Sequence, residues 1–201
     1  MHSFILPSHI KGLIFDIDGT LADTMPAHYR ASLRVAKEFG FEFPLDYFIK
    51  MAGIPTTDVF KELLRLQNKT SISSEQVSAL KEKYYIDEVP NIQAISYTMD
   101  IVKKYVGQIP MSMGTGGTLE IAIPNIKRID ADSYISILVS AEDVAKHKPF
   151  PDTFLECAKR MNIPPHQCLV FEDAVNGFKA AEAAGMEWID VTEFHAPVYI
   201  F

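Results

Sequence analysis

The chain has 201 residues, 48% of them apolar and 22% charged, with a formal net charge of −7. That length suits one domain with a modest insert and a sizeable core, and no low-complexity tract points to disorder. The acidic balance argues against nucleic acid and anionic membranes as partners, but leaves room for an anionic substrate met through a metal and a lysine.

The opening MHSFILPSHIK holds an apolar run too short for a signal sequence and broken by Pro7. No stretch approaches the roughly 18 consecutive apolar residues of a membrane span. The first strand is expected over GLIFDI (12–17), near-continuously apolar and ending in Asp16 and Asp18. A helix follows, with Met25, Tyr29, Leu33, Ala36 and Phe39 on one face and Gly40 at its end. Pro55 precedes a second helical pattern built on Val59, Phe60, Leu63 and Leu64. SSEQVSALKEKYYIDEV reads as a third, with Ser73 or Ser74 as N-cap, and NIQAISYTMDIVKKY leads back towards the sheet.

Further strands are expected over IPMSMG (109–114), YISILVS (134–140), CLVFED (168–173) and EWIDVT (187–192). Between them lie a short helix stopped near Pro124, a helix opened by Pro151 and Asp152 that turns Phe154, Leu155, Ala158 and Met161 inward, and a helix with Ala174, Phe178, Ala181 and Ala184 on one stripe before Gly185. Cys157 and Cys168 sit in apolar patterns and read as buried inert thiols of a reducing compartment. A cytoplasmic protein is the expectation. Alternating strands and helices make a doubly wound, mainly parallel, Rossmann-like α/β sheet. The gap between the first two strands is too long for one crossover helix. Residues 25–90 are therefore expected to form an inserted helical cap, on a core made of residues 1–24 and 91–201.

Each strand ends in chemistry-bearing residues: Asp16 and Asp18; Thr115, Gly116 and Gly117; Lys148 in the loop after the third; Glu172 and Asp173. In open α/β sheets, ligands sit outside the carboxyl ends of the strands, so these clusters should converge. Four carboxylates together repel one another unless a cation or protons neutralise them, and Mg²⁺ suits hard oxygen donors. The Thr115–Gly117 turn opens a helix whose N–H groups favour an anion, and Lys148 adds positive charge. Metal, amides and lysine together describe a phosphoryl group. Residues i and i+2 of a strand point the same way, so Asp16 and Asp18 would face one reacting centre, one as nucleophile and one as proton carrier. A calcium loop starting at Asp16 is disfavoured, because its glycine and glutamate positions hold Leu21 and Ala27.

The motifs FDIDGTLADT, MGTGG, KHKPFPDTF and VFEDAVNGFKAAEAAGM resemble the four motifs of the haloacid dehalogenase-like hydrolases, and most closely the β-phosphoglucomutase-like branch with its sugar-phosphate phosphatases. The second aspartate, Asp18, is absent from the true dehalogenases and points to phosphoryl transfer. The resemblance implies Asp16 as a nucleophile forming an aspartyl-phosphate and Asp18 as general acid and base. It implies Mg²⁺ on Asp16, the Asp18 main-chain carbonyl and Asp173, with Glu172 in support. Thr115 and Gly116 would bind phosphate, Lys148 would balance charge, and Gly117 replaces a serine common in relatives. His28 matches a cap-hinge histidine that meets the reacting hydroxyl in the mutase. The GIPTTD loop, with Gly53 and Thr56, resembles phosphatases of fructose 1-phosphate or 6-phosphogluconate.

That loop has no lysine or arginine between Lys50 and Lys61, which disfavours a second phosphate site. The expectation is a monomeric Mg²⁺-dependent phosphatase of a small phosphorylated metabolite. β-Phosphoglucomutase is the alternative, and a non-catalytic phospholigand-binding protein the alternative of another class.

Overall fold

The computed structural model describes residues 4–199. The first three residues of the opening segment and the last two of the expected core lie outside the described residues. Five parallel strands form one sheet: β1 (Gly12–Phe15), β2 (Met111–Gly114), β3 (Ile137–Val139), β4 (Cys168–Glu172) and β5 (Glu187–Asp190), in the order β3-β2-β1-β4-β5. The chain runs outward from β1 through β2 to β3, then returns to β1's other side for β4. That reversal opens a crevice at the carboxyl ends of β1 and β4. Leu13 pairs in register with Met111 on one side and Leu169 on the other.

All five expected strands are present, each shorter than the apolar run that announced it. β1 stops at Phe15, so Asp16 and Asp18 leave the sheet rather than extend it. Both faces of the sheet are covered. Leu13, Phe15, Leu169 and Phe171 pack against α5 (Ser96–Tyr105) and α6 (Leu119–Arg128). Ile14 and Val170 pack against α7 (Asp152–Met161) and α8 (Val175–Ala183). Cys157 and Cys168 are buried, and burial pushes their thiols up to about 12 and about 11.

Three helical expectations need correction. α6 runs through Pro124 rather than stopping there. The proline forfeits one backbone hydrogen bond, which the buried face of Ile121, Ala122, Asn125 and Ile126 outweighs. On α7 the inward position expected of Leu155 belongs to Cys157, and Leu155 is exposed. On α8 the buried stripe is Gly177, Ala180 and Ala181; Phe178 leans sideways and stacks on Trp188 at 4.4 Å.

The residues between β1 and α5 form α1 (Met25–Phe39), α2 (Leu45–Lys50), α3 (Thr56–Leu66) and α4 (Ser74–Glu88). α2 has no counterpart in the sequence reading; only six residues long, it shows too little periodicity to announce itself. Ser73 caps α4, accepting the Gln76 N–H at 3.2 Å. These helices share an apolar cluster centred on Tyr29, Val35, Phe43, Phe60, Leu63 and Val77. α1 is buried on two faces, not the one its periodicity suggested: Tyr29 and Ala36 join that cluster, while Ala27 and Ala31 join the core of the sheet. The insert leaves and re-enters through paired backbone, with the Asp23 N–H on the Gln93 carbonyl and the Ile95 N–H on the Leu21 carbonyl. After β5 the chain folds back, and Tyr199 packs edge-on against Tyr29 and Phe48 of the insert.

Candidate active site

At the crevice, β1 delivers Asp16 and β4 delivers Glu172 and Asp173. Carboxylate oxygens of all three lie within 4.8 Å of one another. The Lys148 ammonium reaches between them, 2.6 Å from Asp16 Oδ1, 2.7 Å from Glu172 Oε2 and 3.2 Å from the Gly114 carbonyl. One lysine does not neutralise three carboxylates, two of them buried and Asp173 half-buried. Burial first, then the Glu172 charge, pushes Asp16 up to about 8 against the pull of Lys148. Burial and the charges of Glu172 and Asp16 likewise hold Asp173 well above the ordinary range. Burial alone would lower Lys148, but Asp16 and Glu172 reverse this and hold it above its usual value.

Two glycines let the backbone crowd this cluster. A Cβ on Gly19, whose φ is +83°, would lie 2.1 Å from Asp173 Oδ2; one on Gly177 would lie 2.0 Å from Glu172 Cδ. The excess of hard oxygen donors, unmatched by nearby positive charge, fits a divalent cation.

Asp18 stands apart from those three carboxylates. Its Oδ1 accepts from Asn125 Nδ2 at 3.2 Å and faces His28 Nε2 at 3.6 Å. His28 Nδ1 lies 2.7 Å from the Lys81 ammonium. An ammonium only donates, so Nδ1 accepts and the ring proton sits on Nε2, towards Asp18. Burial, then the Lys81 charge, lowers His28 and keeps the ring neutral. Burial works to raise Asp18, but His28 and Lys81 outweigh it and hold the carboxylate below its ordinary value.

Thr115 is 1% exposed, and its Oγ1 accepts the Gly117 N–H at 2.9 Å. A Cβ on Gly117 would come 3.9 Å from Asp18 Oδ2, so this turn lies beside Asp18. Gly116 is exposed, with open space where a side chain would be. The amide of Leu119, where α6 begins, is already engaged by the Glu142 carboxylate at 3.1 Å. The anion expected at that helix start is thus partly supplied by the chain itself.

The remaining expected residues sit further out. The Gly53 carbonyl accepts from Asn176 Nδ2 at 3.2 Å, which ties the loop before α3 to the start of α8. Thr56 donates to Glu82 at 3.3 Å, and Glu82 in turn holds Lys81 at 3.2 Å. Thr56 therefore reaches Asp18 only through Glu82, Lys81 and His28. A groove of ≈ 550 Å³ on the outer side of the insert, beside Lys61 and Arg65, is interleaved with Asp58, Glu62 and Glu75 and holds none of these groups.

Sequence reading missed Lys81, Tyr85 and Asn125, which are 4%, 0% and 0% exposed. The available signal was the spacing of Lys81 and Tyr85, one helical turn apart on a helix without a one-sided apolar stripe.

A parallel sheet with a carboxylate-and-lysine centre at its switch point defines a phosphoryl-transfer type of α/β site. The profile of the haloacid dehalogenase-like hydrolases matches residues 13–191, and the chain belongs to that family. It is 37% identical over 184 residues to the fructose-1-phosphate phosphatase YqaB of Escherichia coli, covering 90% of this chain and 95% of that protein. A phosphorylated carbohydrates phosphatase of Thermotoga maritima is 27% identical over 183 residues, covering 90% and 84%. In fold the chain resembles a β-phosphoglucomutase from Clostridium difficile, with a TM-score of 0.80 at 23% identity, over 90% of this chain and 84% of that one.

Proposed function

We propose that this chain is a Mg²⁺-dependent phosphatase that hydrolyses a small sugar phosphate of the fructose 1-phosphate or 6-phosphogluconate type through an aspartyl-phosphate. The observation that carries the reading is the meeting of Asp16, Lys148, Glu172 and Asp173 beside a separately held Asp18. An Asp16 oxygen attacks phosphorus and the ester P–O bond breaks. Asp18 gives its proton to the departing sugar oxygen, then takes one from the water that attacks the phosphorylated Asp16, and inorganic phosphate leaves. Lys148 keeps Asp16 aimed and lowers the cost of its charge. Asp16, Asp173 and the Asp18 carbonyl, with Glu172 alongside, would hold Mg²⁺, which supplies positive charge against the phosphoryl oxygens. Thr115, Gly116 and Gly117 form the phosphate turn. Residues 25–90 act as a cap, with His28, Gly53 and Thr56 on its substrate side.

Hydrolysis is preferred to mutation because the loop before α3 offers no free cation. Lys81, the insert's cation behind His28, is 4% exposed and already shared between Glu82 and His28. The buried thiols suit a cytoplasmic enzyme, and a monomer suffices because every residue used comes from one chain. The test is phosphate release from a panel of sugar phosphates with Mg²⁺. Turnover that vanishes on chelation and returns with Mg²⁺ supports the reading. Conversion of β-glucose 1-phosphate to the 6-phosphate faster than phosphate release would replace it with the mutase.

A further inference from the structure

Asn125 sits on α6 with no exposed surface, in the middle of a two-sided contact. Its Nδ2 donates to Asp18 Oδ1 at 3.2 Å, and its Oδ1 accepts the Tyr85 hydroxyl at 2.9 Å. Tyr85 belongs to α4 of the helical insert, is fully buried, and stacks on the His28 ring at 3.8 Å with planes 7° apart. α6 has a second tie to the insert, from Arg128 Nε to the Pro90 carbonyl at 2.8 Å.

We propose that Asn125 is a positioning residue, keyed by Tyr85, that holds Asp18 ready for proton transfer. A carboxylate can only accept, so the amide nitrogen must face Asp18. The Tyr85 hydroxyl, donating to the amide oxygen, fixes that orientation against a flip. Asn125 and His28 both crowd Asp18 Oδ1, which leaves Oδ2 for the substrate; Oδ2 is the oxygen beside the Gly117 turn. A carboxyl whose Oδ1 already accepts from neighbours carries its proton on Oδ2, where the leaving oxygen waits. The Tyr85–Asn125 pair thus ties a side chain of the insert to the aim of Asp18, an inference that rests on the phosphatase reading above.

The test compares kcat/KM for an alkyl ester, fructose 1-phosphate, with that for 4-nitrophenyl phosphate, whose leaving group needs no proton. In the full chain, Asn125→Leu should lower the alkyl value by about 10- to 100-fold, part of the roughly 10²- to 10⁴-fold worth of a general acid. The loss on 4-nitrophenyl phosphate should be at least about tenfold smaller, a split that general loosening of the site would not produce. Tyr85→Phe, which leaves the core volume intact, should show the same split at about three- to tenfold, and should add nothing to Asn125→Leu. Equal losses on both esters, or full additivity, would overturn the proposal. If Asn125→Leu does not fold, Tyr85→Phe alone decides between these outcomes. An unaltered protein that turns over neither ester would instead remove the phosphatase reading, and this inference with it.

Discussion

Asp16 and Asp18 are separated by one residue and live in opposite electrostatic worlds. Asp16 is buried among Glu172 and Asp173, and is pushed up to about 8 despite its contact with Lys148. Asp18 is held below its ordinary value by His28, with Lys81 behind it, and is further tied by Asn125. One carboxylate sits in a nest of negative charge that calls for a metal; the other sits at the end of a relay of donors. Two like groups whose surroundings push them apart are suited to different tasks in one reaction. The first environment is built from the ends of β1 and β4 and the loop that follows β3. The second exists only where the insert meets the sheet.

The sharpest way to break this contrast is to exchange the roles. Asp16→Asn should cut turnover by about 10³-fold or more and abolish any phosphorylated protein in a single-turnover quench. Substantial remaining activity would end its assignment as nucleophile. Asp18→Asn should cost on the order of 10²-fold or more on sugar phosphates. With 4-nitrophenyl phosphate it should leave phosphorylated Asp16 standing, because no base then activates water. If both variants failed in the same way, the two aspartates would share one role.

A smaller effect is expected on the metal side. In Gly177→Ala the new methyl would overlap Glu172, which must shift and loosen its hold on Lys148. The expected cost is about 1–3 kcal/mol in a thermal melt, with about a tenfold rise in the Mg²⁺ needed for half-activity. An unchanged Mg²⁺ titration would separate Glu172 from the metal site. The smallest effect concerns the relay. His28 should titrate below 6.5 by NMR, and Lys81→Met should move it part of the way back up. The sign follows from linkage: below pH 6.5 the unfolded chain takes up a proton that the folded ring refuses, so this group's contribution to stability falls with pH until the ring itself titrates. Lys81→Met should make that fall shallower, and a ring indifferent to Lys81 would disconnect the relay.

Much of this molecule was legible before any coordinates. Near-continuous apolar runs announced the five strands, and the acidic, hydroxyl and basic residues at their ends announced Asp16, Thr115, Lys148, Glu172 and Asp173. These signals are local: each of these groups follows its own strand, and the topology of a doubly wound sheet brings strand ends together without further instruction. Tertiary structure alone decided the surroundings of Asp18. Lys81, Tyr85 and Asn125 lie on α4 and α6, far from Asp18 in sequence, and their importance depends on which helix faces meet once the insert docks. α4 hides a charge and a phenol where a core helix would normally show hydrocarbon, so no one-sided apolar stripe marked its buried face. Strand order is written in stretches of a few residues, whereas an interface between two packed bodies is written in neither of them separately.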